Sequence, residues 1–227
     1  LFFMDLKIRV KKMNTAVFLN IHADTYARFA HIRTQLMQGS KDSQANALGS
    51  VLSEMACEVI EQVFIVLLQE NQHYSQTGES EKVIQQILEA VRKYMPWSIA
   101  LFSNERLCPF VNYFSDMIKY HDEQVYVSYP IDRGLVQQVH SLANRLHNNE
   151  IHDMVDVFQT LIQIVDSGVT NLVREPKKCL NFNMMIDKTL NGVINMTAHL
   201  SYKRLEKMSD QVDSSAASDC VNHFLAF

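Results

Sequence analysis

Six glycines and four prolines are all that interrupt this chain over 227 residues. Sandwiches and barrels reverse direction every few residues and draw on those two residue types to do it, whereas helices need them mainly at their ends. The shortage restricts the chain to long helices joined by few connections. Apolar residues make up 47% of the sequence, enough to fill one continuous core.

The spacing of those apolar residues agrees, because they recur at intervals of three and four, the period of one helix face. A first helix is expected over about Ile21–Met37, with Gly39 as its C-terminal cap. A second, about Asp42–Gln72, carries the stripe Leu48, Leu52, Met55, Val59, Val63, Phe64 and Leu67. A third starts near Glu79 and sets Glu79 and Glu81 at its positive end and Arg92 and Lys93 at its negative end, as the helix dipole favours. Pro96 and Pro109 are each read as opening a short helix, since the first turn has no amide bond for proline to break. Further on, Leu135, Val139, Leu142 and Leu146 mark one helix, and a run from Ile151 to Leu172 marks the next, ended by Pro176. A last long helix is expected over about Asn181–Met208. Short connections make neighbours antiparallel, so the fold expected is all-α: a single antiparallel bundle of about seven or eight helices.

Two segments alternate with the period of a half-exposed strand, residues 5–11 and Val125–Tyr129, and they allow a minor two-stranded β ribbon. The chain divides into an N-terminal extension over residues 1–20, a bundle over 21–209, and residues 210–227 as a polar linker and an apolar tail. The start of the extension is uncertain, because Leu1 is followed by two candidate initiators, Met4 and Met13. Lys11 to Ala23 has the outline of a secretion signal, but its apolar part is short and broken by Asn14, Thr15 and Asn20. No stretch reaches the roughly 18 uncharged apolar residues of a membrane span.

A net charge of −4 gives no general attraction for nucleic acid or anionic lipid. The basic groups are Lys7, Arg9, Lys11 and Lys12, then Arg174, Lys177 and Lys178, and finally Lys203, Arg204 and Lys207. They have no interleaved aromatic residues, so nucleic acid is an unfavoured partner. Cys57, Cys108, Cys179 and Cys220 lie far apart without metal or redox spacing, and they read as free thiols of a cytoplasmic protein.

His121-Asp122 and His152-Asp153 are adjacent pairs that could share a metal ion, and with Asp187 their order loosely resembles that of the HD-type phosphohydrolases. Met154 and Val155 stand where that family has glycine and lysine after the pair. His121, His152, Asp153 and Asp187 therefore form the alternative, catalytic reading. Glu70 and His73 give a single di-iron type motif where two are needed, and Glu54, Glu58 and Glu61 read as a solvated face. His140 and His147, with Asn148, Asn149, Glu150 and His152, read as a polar helix end. Asp187, Asn191, Asn195 and His199 recur every four residues as one polar stripe, read as a solvated face with a buried hydrogen-bonded network as its competitor.

No phosphate loop, dinucleotide turn, nucleophile elbow or zincin helix is present. The chain is read as a non-enzymatic interaction or regulatory protein, without cofactor or metal, whose partner is another protein or a second copy of itself. Val221, Phe224, Leu225 and Phe227 are its expected docking residues.

Overall fold

The computed structural model describes residues 16–69, 79–121, 123–148, 150, 154–210 and 212–225. Val125–Tyr129 does form a strand, within β3 (Gln124–Pro130), but the ribbon has three strands rather than two. β1 (Ala16–Ile21) pairs antiparallel with β3 from Ala16 opposite Pro130 to Ile21 opposite Val125. On the other side of β3 lies β2 (Ile118–His121), paired from Ile118 opposite Val127 to His121 opposite Gln124. The alternating segment at residues 5–11 lies outside the described residues. β1 buries every second side chain, Val17, Leu19 and Ile21, as a strand with one face on the core must. As an edge strand it exposes unpaired amides, and Gln62 answers this by accepting the Asn20 amide at 2.8 Å.

Among the described residues, everything else regular is helical. The helices are α1 (Ala23–Met37), α2 (Ala45–Gln69), α3 (Glu79–Ile99), α4 (Asn104–Met117), α5 (Arg133–His147), α6 (Val155–Val169), α7 (Glu175–Cys179), α8 (Met184–Ser209) and α9 (Ser214–Leu225). The chain is an all-α protein with a small antiparallel sheet. Gly39 follows α1 at φ 71°, the left-handed cap expected of it. Asn104 holds the α1–α2 connection, donating to the carbonyls of Ser40 at 2.9 Å and Asp42 at 2.8 Å and accepting the Gln44 amide at 2.8 Å.

Three prolines behave differently from the expectation. Pro96 lies in the last turn of α3 and Pro109 in the second turn of α4, so neither opens a helix. Each gives up one amide bond, and packing against neighbouring helices outweighs the loss. Pro176 does not simply end the preceding helix. Between α6 and α7 the chain widens into a π-helical turn, Thr170–Arg174. In α geometry the Pro176 ring would strike the Leu172 carbonyl, and the widened turn removes that clash before proline enters the first turn of α7.

The polar stretch after α8 is helical from Ser214 onward, so only a few residues separate α8 from α9. α9 packs mainly on α5.

Two apolar clusters make up the core. One gathers Val17, Leu19 and Tyr129 of the sheet with Leu142, Phe158, Leu161 and Val221. The other joins Ile21, Val125 and Val127 to Phe29, Leu48, Leu107 and Phe110. Val59, Tyr113 and Leu172 border both clusters, and between the two the packing opens.

Candidate functional site

At that junction lies a cavity of about 250 Å³, bounded by α2, α3 and α8 on its sides and by the π turn and the sheet beneath. Met55, Ala56, Val59 and Ile60 face it from α2, Val91, Tyr94 and Met95 from α3, and Leu190, Val193 and Ile194 from α8. Leu172 and Val173 of the π turn and Tyr129 of β3 complete the wall. Val59, Ile60, Val91, Val193 and Ile194 are only half-buried, so the space is partly open rather than sealed.

The local sequence explains why space remains. Ala56 and Gly168 line it with a methyl group and a bare backbone, and the Tyr129 ring fills the place of a Gly168 side chain: a Cβ there would lie 3.0 Å from it. Tyr129 donates to the Ile164 carbonyl at 3.2 Å, which fixes the ring under α6. Burial pushes its phenol far above the ordinary tyrosine range, so it stays neutral.

The π turn is held open by side chains. Arg174 donates to Asp166 at 2.8 Å and to the Thr170 hydroxyl at 3.1 Å, while Tyr113 donates to the Asn171 carbonyl at 2.8 Å. Asp166 also accepts the Tyr202 hydroxyl of α8 at 2.6 Å. Burial alone would push the Asp166 carboxyl up, but the hydrogen bonds from Tyr202 and Arg174 outweigh it and hold the group below its usual range. Tyr202 responds in the opposite direction, pushed up to about 12 by burial and by its bond to the Asp166 carboxylate.

The serine and threonine hydroxyls of the wall are turned onto backbone. Ser98 donates to the Met95 carbonyl at 2.9 Å, Thr197 to the Val193 carbonyl at 3.0 Å, and Ser201 to the Thr197 carbonyl at 3.0 Å. Their protons are spent on backbone, so these groups offer a guest no hydrogen bond, and the apolar wall around them acts by dispersion and by removing apolar surface from water. Among the described residues the wall has one charged side chain, Lys177 of α7. Its ammonium donates to Asp187 and, at 2.8 Å, to Asn191, both on α8.

That contact gives the polar stripe a structural meaning. Asp187 and Asn191, themselves bonded at 2.9 Å, hold Lys177 at the edge of the cavity, while Asn195 and His199 face solvent further along α8. The stripe is a surface feature, not a buried network.

Of the catalytic alternative, His121 sits exposed at the end of β2 and Asp187 is engaged by Lys177, while Asp122, His152 and Asp153 lie outside the described residues. Among the described residues no three of His, Cys, Asp and Glu gather as a metal site would require. Glu70 and His73 also lie outside the described residues. Glu54, Glu58 and Glu61 are not merely a solvated face. Each reaches a different neighbour: Glu54 pairs with Arg28, Glu58 accepts from the His22 amide at 2.9 Å and Thr25 at 2.6 Å, and Glu61 meets Arg92 at 3.5 Å. The polar end of α5 behaves as a helix boundary, with Asn148 as its C-cap. In the second basic group Lys178 pairs with Glu175 at 2.6 Å, so all three members already face an acid of this chain. Val221 of the expected docking tail is buried in the chain's own core. The side chains of Phe224 and Leu225, and all of Phe227, lie outside the description.

The cavity itself was not foreseen. Its signal in the sequence is the doubled width of the stripes at Val59-Ile60 and Val193-Ile194, broader than contact with a single neighbour requires. No known protein-family model matches the chain, and no characterised protein or solved structure matches it. No helix among the described residues is long and apolar enough to cross a membrane.

Proposed function

We propose that this chain is a non-enzymatic binding protein of regulatory type, which holds an apolar small molecule between α2, α3 and α8. The observation that carries the reading is the cavity of about 250 Å³, apolar over most of its wall, with the hydroxyls of Ser98, Thr197 and Ser201 turned onto backbone. Apolar cavities of about 150 Å³ stay dry and take up benzene. A larger one of the same character suits a medium-length alkyl chain or a small ring system. Filling it lets the half-buried wall gain contacts that it lacks when empty. The walls also present exposed apolar side chains outward, Trp97 on α3 and Met196 on α8, and these are the surface through which a partner protein would sense occupancy. A cytoplasmic location belongs to the same proposal, since four unbridged cysteines suit a reducing compartment.

Calorimetric titration with decanol tests it. The native protein should bind one equivalent saturably, and Ala56→Phe, which fills the space from α2, should stay folded without binding. Ala56→Leu serves as the milder filling variant. Absence of saturable binding to the native protein would refute the reading.

A further inference from the structure

The charge of Lys177 on the wall points to the ligand's head group. We infer that the preferred ligand is an apolar monocarboxylate, an alkyl or ring chain in the cavity with its carboxylate at Lys177; this rests on the cavity being a ligand site. The Lys177 side chain is 13% exposed, whereas Asp187, its partner, is 42% exposed. Lys177 is thus the more enclosed partner and belongs to the cavity wall, while the carboxylate it pairs with is the more exposed one. It has three donors, and Asp187 and Asn191 take two. The third is available to an acceptor arriving from the cavity. Asp187 belongs to the first turn of α8, so the positive end of a 26-residue helix lies at the same rim and adds to the attraction for an anion. A cationic amphiphile would meet the ammonium itself and be repelled. An uncharged one would lose the charge-assisted bond but keep the apolar contacts.

The experiment compares decanoate, decanol and decylammonium at neutral pH and at concentrations below micelle formation, by calorimetry on the full chain. Decanoate should bind about tenfold tighter than decanol, the size of one charge-assisted hydrogen bond at a partly solvated site, and decylammonium weakest. Lys177→Met keeps the apolar stem and should lose the preference for decanoate over decanol. Asp187→Asn removes the competing carboxylate and should tighten decanoate several-fold relative to decanol. Equal affinity for decanoate and decanol in the native protein, or a preference that survives Lys177→Met, would overturn the assignment of the head group. In that outcome decanol still binds, which separates this failure from failure of the cavity reading, where none of the three binds.

Discussion

A side chain on Gly49 would place its Cβ 2.8 Å from the Cα of Pro96, which puts the backbones of α2 and α3 in direct contact. That contact sets the spacing of the two helices that form one side of the cavity. Gly49→Ala should therefore force them apart and cost about 1–3 kcal/mol, the usual range for overpacking a filled site. Gly192, in the third turn of α8 with nothing within 4 Å of its absent Cβ, is the control. Gly192→Ala should stabilise by about 0.5–1 kcal/mol through helix propensity alone. Chemical denaturation of the two variants measures both, and a Gly49→Ala protein as stable as the native one would show that the close approach has no energetic consequence.

The thiols should divide into two classes. Cys57 and Cys220 are buried, Cys108 and Cys179 half-buried, and none is bridged. Burial also pushes the Cys57 thiol up, which lowers its thiolate fraction further. Titration with an aromatic disulfide reagent should show Cys108 and Cys179 reacting in the folded protein and the other two only on unfolding. Rapid reaction of all four would contradict the packing of α2 and α9.

The fold was legible because the signals that fix it are local. Gly39 and the 3–4 stripes from Leu48 to Phe64 and from Leu135 to Leu146 need no knowledge of neighbours, and they marked α1, α2 and α5. The prolines were misread because Pro96 is governed by Gly49 on another helix, and Pro176 by a widened turn that no sequence period reveals. The cavity was illegible for the same reason. An apolar stripe specifies burial, but whether its partner fills the space depends on where Ala56 and Gly168 meet their neighbours. The polar stripe was visible as a pattern, yet its use depended on Lys177, which had looked like an ordinary cation beside a helix end.

Alkaline pH should destabilise the protein through its buried phenols. Tyr202 is pushed up to about 12, and Tyr129 is raised further by burial, whereas an unfolded tyrosine titrates near about 10. The folded state thus keeps protons that the unfolded state releases. The associated stability is complete below about pH 10 and falls as pH rises through the folded values. Tyr202→Phe should flatten part of that decline. Asp166 works in the opposite sense: held below its usual range, it adds stability above about pH 4 that disappears as pH drops through its folded value. Melting temperatures across pH measure both limbs, and an alkaline limb identical in Tyr202→Phe would count against the Tyr202–Asp166 bond.

Removal of α9 should weaken the fold itself. Ala217 and Cys220 are 0% exposed and Val221 is 2% exposed, all within the chain's own core. Deleting residues 214–227 should lower the melting temperature while light scattering shows unchanged association. A dimer that becomes a monomer, at unchanged stability, would assign the segment to an interface between copies instead.

The most direct measurement of the central claim is methyl-resolved NMR of the full chain titrated with decanol. Occupancy of the cavity predicts shifts concentrated in the methyl groups of Val59, Ile60, Val91, Val193 and Ile194, saturating together and absent in Ala56→Phe. Methyl groups remote from it, such as those of Ile32 in α1 and Leu142 in α5, should not move. Shifts spread evenly over the surface, without saturation and unaltered by Ala56→Phe, would contradict it.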